Sequence, residues 1–222
     1  RLHLVESGSL SFAAINYGAA IQKVAIDGKP VSVFLDTDEE YKKQNDFLGA
    51  TVGRYANRIA GGLYETSNGN VVQLEKNEKG NTIHGGSMAL DKQEFFGPVV
   101  KSSDKGYTLD FVYVDKDGSN GFPGDLEVQV SYAISGKDKA AEIEVQYQAK
   151  LLTGSETPIN LTNHSYWNIS GQKTIDGTKV KLGSHNALKV DSDLIPTNEI
   201  EVKKVDELEV LDNCFVLTEK LP

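Results

Sequence analysis

Apolar and polar residues alternate with a period of two along much of the chain. Residues 107–114 set Tyr107, Leu109, Phe111 and Tyr113 on one side. Residues 126–134 do the same with Leu126, Val128, Val130, Tyr132 and Ile134, and residues 143–149 with Ile143, Val145, Tyr147 and Ala149. This is the pattern of strands that bury one face and wet the other, as antiparallel sheets do. Residues 20–35, "AIQKVAIDGKPVSVFL", read as two strands joined at Asp27-Gly28, a pair suited to a two-residue hairpin turn. Residues 63–74, "LYETSNGNVVQL", repeat that device at Asn68-Gly69. The connection "DKDGSNGFPGD" at 115–125 is a turn cluster rich in glycine, and "SGKDKA" joins the next strand pair. One helix is predicted over residues 37–45, "TDEEYKKQN", with Thr37 as its cap.

No βαβ rhythm and no fixed repeat interrupts this pattern. The prediction is an all-β chain forming a large antiparallel β-sandwich, a single domain over residues 1–222. The last segment, "LEVLDNCFVLTEKLP", stops soon after a strand-like run, and such an edge must be paired or covered. The sandwich is therefore expected to be short of its C-terminal strands.

Composition adds few constraints. The net charge of −9 removes nucleic acid as a partner, since phosphate binding needs a basic stripe. No apolar run approaches the length of a membrane span. The single cysteine, Cys214, leaves no internal disulfide and fits a reducing, cytoplasmic setting. Three glycosylation sequons, at Asn160, Asn163 and Asn168, overlap one polar motif. A glycan there would block a site built from that motif, which also points away from a glycosylating compartment.

Four stretches stand apart from the alternating strands. In "FLGATVGRYANRIAGG", residues 47–62, Arg54 and Arg58 sit among small residues. They read either as a ligand-binding fork or as arginines in surface ion pairs at a bend. In "NTIHGG", residues 81–86, His84 reads either as a hydrogen-bonded turn residue or as a catalyst. In "LTNHSYWNIS", residues 161–170, strand alternation puts His164 and Tyr166 on one face, with Ser165 and Trp167 on the other, free to enter the core. In "LDNCFVL", residues 211–217, Asp212 stands at the edge of an apolar run and reads either as a strand-capping turn residue or as a ligand. No metal-ligand spacing occurs among the four histidines, and no G-x-S-x-G elbow is present. Histidine acid–base chemistry fits these residues better than metal or covalent chemistry does.

Taken in order, "GATVGRYANRIAGG", "NTIHGG", "DGSNGFPGDLEV", "PINLTNHSYWNISG", "LIPTNEI" and "LDNCFVL" resemble the aldose 1-epimerase (galactose mutarotase) family, from about Asn16 onward. Trp167 stands where the family usually has phenylalanine. The resemblance implies a large β-sandwich that interconverts the α and β anomers of free hexoses, galactose or glucose, without a cofactor. By position, His164 resembles the general acid and His84 the histidine on the ring-oxygen side of the sugar. Asn57, Arg58 and Asp212 resemble sugar-binding residues, and Tyr166 is favoured over Trp167 to stack on the sugar. The family's general base is a glutamate well beyond the aspartate motif. The chain is expected to end before it, covering roughly the first two-thirds of a family member. A sugar-binding module lacking the base is the alternative reading, and a second chain or a dimer partner is a further source of the missing segment.

Overall fold

A computed structural model describes residues 1–137, 140–176, 178 and 186–202. The chain divides into two compact units, Arg1–Gly171 and Gln172–Pro222. In the first unit, β1 (Leu2–Ser7), β2 (Leu10–Ile15), β3 (Ile21–Ile26) and β4 (Lys29–Pro30) form one antiparallel sheet in that order. The helix α1 (Asp38–Lys43) and the short strands β5 (Thr51–Val52), β6 (Arg58–Ile59), β7 (Leu63–Glu65), β8 (Val71–Gln73) and β9 (Thr82–Ile83) come next. A second antiparallel meander follows, β10 (Phe96–Ser103), β11 (Gly106–Asp115), β12 (Leu126–Lys137) and β13 (Ala140–Leu151), and the unit closes with β14 (Thr162–Asn163). In the second unit, β15 (Asn186–Val190) and β16 (Pro196–Val202) pair antiparallel.

The alternation seen in the sequence becomes the core. Leu109 and Phe111 of β11, with Leu126, Val128, Val130, Tyr132 and Ile134 of β12, are buried against Leu10, Phe12 and Ala14 of β2 and Ile21 and Val24 of β3. Two sheets thus face each other across one apolar layer, and each large side chain in it contributes roughly 1.5–3 kcal/mol of burial. Tyr132 crosses the layer, stacking at 5.3 Å from Phe12 and donating its hydroxyl to the Ala19 carbonyl.

The first hairpin turn is as predicted, with Asp27 at φ 49 and Gly28 at φ 75. Its return strand is shorter than expected, because β4 pairs only at Lys29 and Pro30. The second hairpin differs. β7 and β8 are joined by a loop closed between the Thr66 amide and the Asn70 carbonyl, with Gly69 at φ 84. The Thr66 hydroxyl fills this loop by donating to the Asn68 side chain and the Asn70 carbonyl, which favours the longer turn over a two-residue one. The helix is capped as predicted: Thr37 accepts from the Glu40 amide while Glu40 accepts from the Thr37 amide.

Candidate functional site

Residues 49–59 are the spine on which three of the four singled-out stretches meet. At one end, β5 pairs with β14, so that Thr51 faces Asn163. The His164 amide donates to the Ala50 carbonyl at 2.9 Å, and the Gly49 amide donates to the His164 carbonyl at 3.0 Å. At the other end, β6 pairs with β9, so that Arg58 faces Ile83. The His84 amide donates to the Asn57 carbonyl at 3.0 Å. The segments pass closely: a Cβ on Gly85 would collide with the Gly53 carbonyl. The Asn77 side chain clamps both backbone groups of Ile83, fixing the strand that ends at His84.

These pairings bring the two imidazoles together, with ring centroids 5.4 Å apart at 86°. Tyr166 lies 5.2 Å from His164, tilted by 44°, so the predicted shared face of His164 and Tyr166 is present. Its hydroxyl donates to the Asp46 carbonyl. Phe47, to which the sequence reading gave no role, completes the cluster at 4.6 Å from His84 and 5.7 Å from His164. Three residues here, Phe47, Asn57 and His84, hold positive φ without being glycine, at 56°, 62° and 53°. Such outliers tend to collect where geometry serves a site.

The hydrogen bonding of His84 fixes its tautomer. Its Nδ1 accepts from the Asn57 amide at 3.0 Å, so in the neutral ring the proton resides on Nε2. Burial pushes the His84 pKa down to about 4; the nearby His164 and Arg58 add to this and Glu78 opposes it. His164 is also lowered, first by burial, but its own backbone and Asp46 pull the other way. The neutral His84 ring thus presents an Nε2 donor, while the influences on His164 partly oppose one another.

Arg58 is held in a bidentate ion pair with Glu78, at 2.7 and 2.8 Å, and also reaches the Asn57 side chain at 3.3 Å. That pairing holds the Glu78 carboxylate below its usual range. Glu78 escaped the sequence reading because it lies in a charged run, "EKNEKG", that resembles ordinary solvated surface. Arg54 corrects the surface reading offered for it. Its side chain is fully buried, bonded to the Asp115 carboxylate at 2.6 Å, to Thr157 and to the carbonyls of Asp115, Lys116, Pro123 and Gly124. It rivets the spine to the β11–β12 connection and takes no part in the histidine cluster.

Trp167 also departs from expectation. Its ring is about half exposed (51%) rather than in the core, while the Ser165 hydroxyl on that side is buried. A two-residue β14 is too short to impose strand alternation on the residues after it. Asp212 lies outside the described residues, as does Cys214. A cavity of about 380 Å³ lies elsewhere, lined by Glu127, Gln129, Gln148, Ala149 and Lys150 on the polar face of β12 and β13.

Comparison with known proteins gives the family of the chain. The bifunctional protein gal10 of Schizosaccharomyces pombe is 42% identical over 232 residues, a match covering 98% of this chain and 32% of that protein. The galactose mutarotase of Sus scrofa is 36% identical over 203 residues, covering 88% of this chain and 56% of the relative. The chain therefore spans about a third to a little over half of the curated relatives it matches. Among solved structures, a galactose 1-epimerase from Lactobacillus acidophilus NCFM superposes with a TM-score of 0.78 at 26% identity, over 90% of this chain and 57% of that one. With the family profile described as aldose 1-epimerase matching residues 1–219, the chain belongs to the aldose 1-epimerase family and has its galactose mutarotase-like β-sandwich.

Proposed function

We propose that the cluster around His84 and His164 binds a free hexose and interconverts its α and β anomers. The observation that carries this reading is the pair of imidazoles 5.4 Å apart, held by two different strand pairings. Anomer exchange removes the proton of the C1 hydroxyl and delivers one to the ring oxygen. The C1–O5 bond breaks, C1 becomes an aldehyde, rotation about C1–C2 exposes its other face, and the ring recloses by the reverse steps. No net proton is consumed.

His164 protonates the ring oxygen in this scheme; burial lowers its pKa, and its own backbone and then Asp46 oppose that shift. His84, neutral and carrying its proton on Nε2, donates a hydrogen bond to the same oxygen and stabilises charge there. Two cations 5.4 Å apart would repel, so only one ring of the pair carries the proton at a time. Arg58 and Asn57 hold sugar hydroxyls, with Glu78 fixing the guanidinium. Tyr166 offers its ring to the sugar's apolar face. By family resemblance Asp212 holds a sugar hydroxyl, and the base that takes the C1 proton is a glutamate in a segment well beyond the aspartate motif. A free sugar fits better than a phosphorylated one: Arg54 is consumed by Asp115, and the charge of Arg58 is balanced by Glu78.

Polarimetry on freshly dissolved α-D-galactose and α-D-glucose tests the reading. His164→Ala is expected to lower the catalysed rate by about 10²–10⁴. A variant that equilibrates anomers at the wild-type rate removes His164 from the mechanism.

A further inference from the structure

Phe47 belongs to residues 44–49, in the connection between α1 and β5, and three features single it out. First, its φ of +56° is a conformation that Gly or Asn adopts with less strain, so a turn alone gives no reason for a phenyl ring there. Second, its ring meets both imidazoles, edge-on to His84 at 66° and tilted by 40° to His164, while those two rings stand at 86° to each other. Third, the segment is tied down on every side. The Ala50 amide donates to the Phe47 carbonyl, the Asn163 side chain to the Gly49 carbonyl, and the Tyr166 hydroxyl to the Asp46 carbonyl. From the far side, Lys92 donates to the Gln44 carbonyl at 3.1 Å and holds its ammonium 5.8 Å from the centre of the Phe47 ring. Lys92 is itself anchored by the buried Asp91, at 3.4 Å, an ion pair rather than a well-formed hydrogen bond.

We propose that Phe47 is a positioning residue, an aromatic wedge that sets the His84 and His164 rings at right angles and excludes water from the space beside both. An aliphatic side chain of similar bulk lacks the flat face that meets two rings at once, so it would admit water and let either imidazole turn. Arg58 and Glu78 face the His84 side of the cluster, Asp46 faces His164, and Lys92 faces Phe47. None of these groups replaces the apolar contact. Only the catalytic consequence of the wedge rests on the mutarotase reading; the packing stands without it.

The test follows the ring resonances of His84 and His164 by NMR across pH in the wild type, Phe47→Leu and Phe47→Tyr, with thermal melting and polarimetry on the same samples. Phe47→Leu is expected to move the His84 midpoint up by about one pH unit or more, because the buried ring gains solvent. The acid limb of kcat moves with it, kcat falls more than KM rises, and Phe47→Tyr restores both. Phe47→Met takes the place of Phe47→Leu if the latter does not fold. A folded Leu or Met variant with wild-type midpoints for both histidines overturns the proposal, whatever happens to its melting temperature. A shifted midpoint in the variant, beside a wild type that shows no anomer exchange, upholds the wedge and refutes the mutarotase reading instead.

Discussion

The burial of His84 has a consequence for folding that can be worked through in numbers. In the unfolded chain its imidazole titrates near the ordinary value of about 6.5; in the folded protein it is pushed down to about 4. Between those values the unfolded chain binds the proton more readily, so acid favours unfolding. The contribution is fully present above pH 6.5 and is lost as pH falls toward 4. Between pH 7.5 and 5.5 the two values give a loss of about 1.4 kcal/mol, roughly tenfold in the folding constant. Partial access of water to the ring makes this an upper figure. Carboxylates largely stay ionised in both states over that range, while His164, also lowered by burial, contributes with the same sign, so the difference between the wild type and a His84 variant isolates His84. The assay is urea unfolding by circular dichroism at a series of pH values, for the wild type and for His84→Asn. Asparagine tolerates the positive φ of this position, offers an oxygen near the place of Nδ1 to the Asn57 amide, and has no proton to bind. Its stability should fall less steeply with acid than that of the wild type. Parallel curves for the two proteins would refute the claim that burial keeps His84 neutral.

Two further outcomes follow from the same contacts. Arg54→Met should destabilise the fold by about 3–5 kcal/mol, because it strands the Asp115 carboxylate and several carbonyls in a dry interior; urea unfolding measures this, and a loss under 1 kcal/mol would contradict the rivet role. Tyr166→Ala should weaken galactose binding about tenfold by calorimetry while Tyr166→Phe leaves it nearly unchanged, as a stacking role requires; equal losses would move the role to the hydroxyl.

The long strands were legible because ten or so residues of alternation leave little room for another reading. Leu109, Phe111, Val128 and Val130 are buried as their spacing demands. The short strands were not legible. β5, β6, β9 and β14 have two residues each, and two residues carry no period, yet their pairing is what brings His84 and His164 together. The histidines could be suspected from the motifs around them, but their convergence depends on Ala50 and Asn57 carbonyls that carry no side-chain signal. Arg54 and Arg58 look alike in sequence, four residues apart among small neighbours. Only the positions of Asp115 and Glu78, each distant in the chain, separate a structural arginine from one at the site. Phe47 heads the quoted motif, and an aromatic residue before Leu-Gly reads as ordinary core.

The central claim is that both imidazoles face one bound hexose. Galactose titration followed by the histidine ring resonances tests it most directly. The signals of His84 and His164 should move together along one binding curve, while His3, bonded to Asn16 away from the cluster, stays fixed. Movement of only one of the pair, or of neither at saturating sugar, would contradict it.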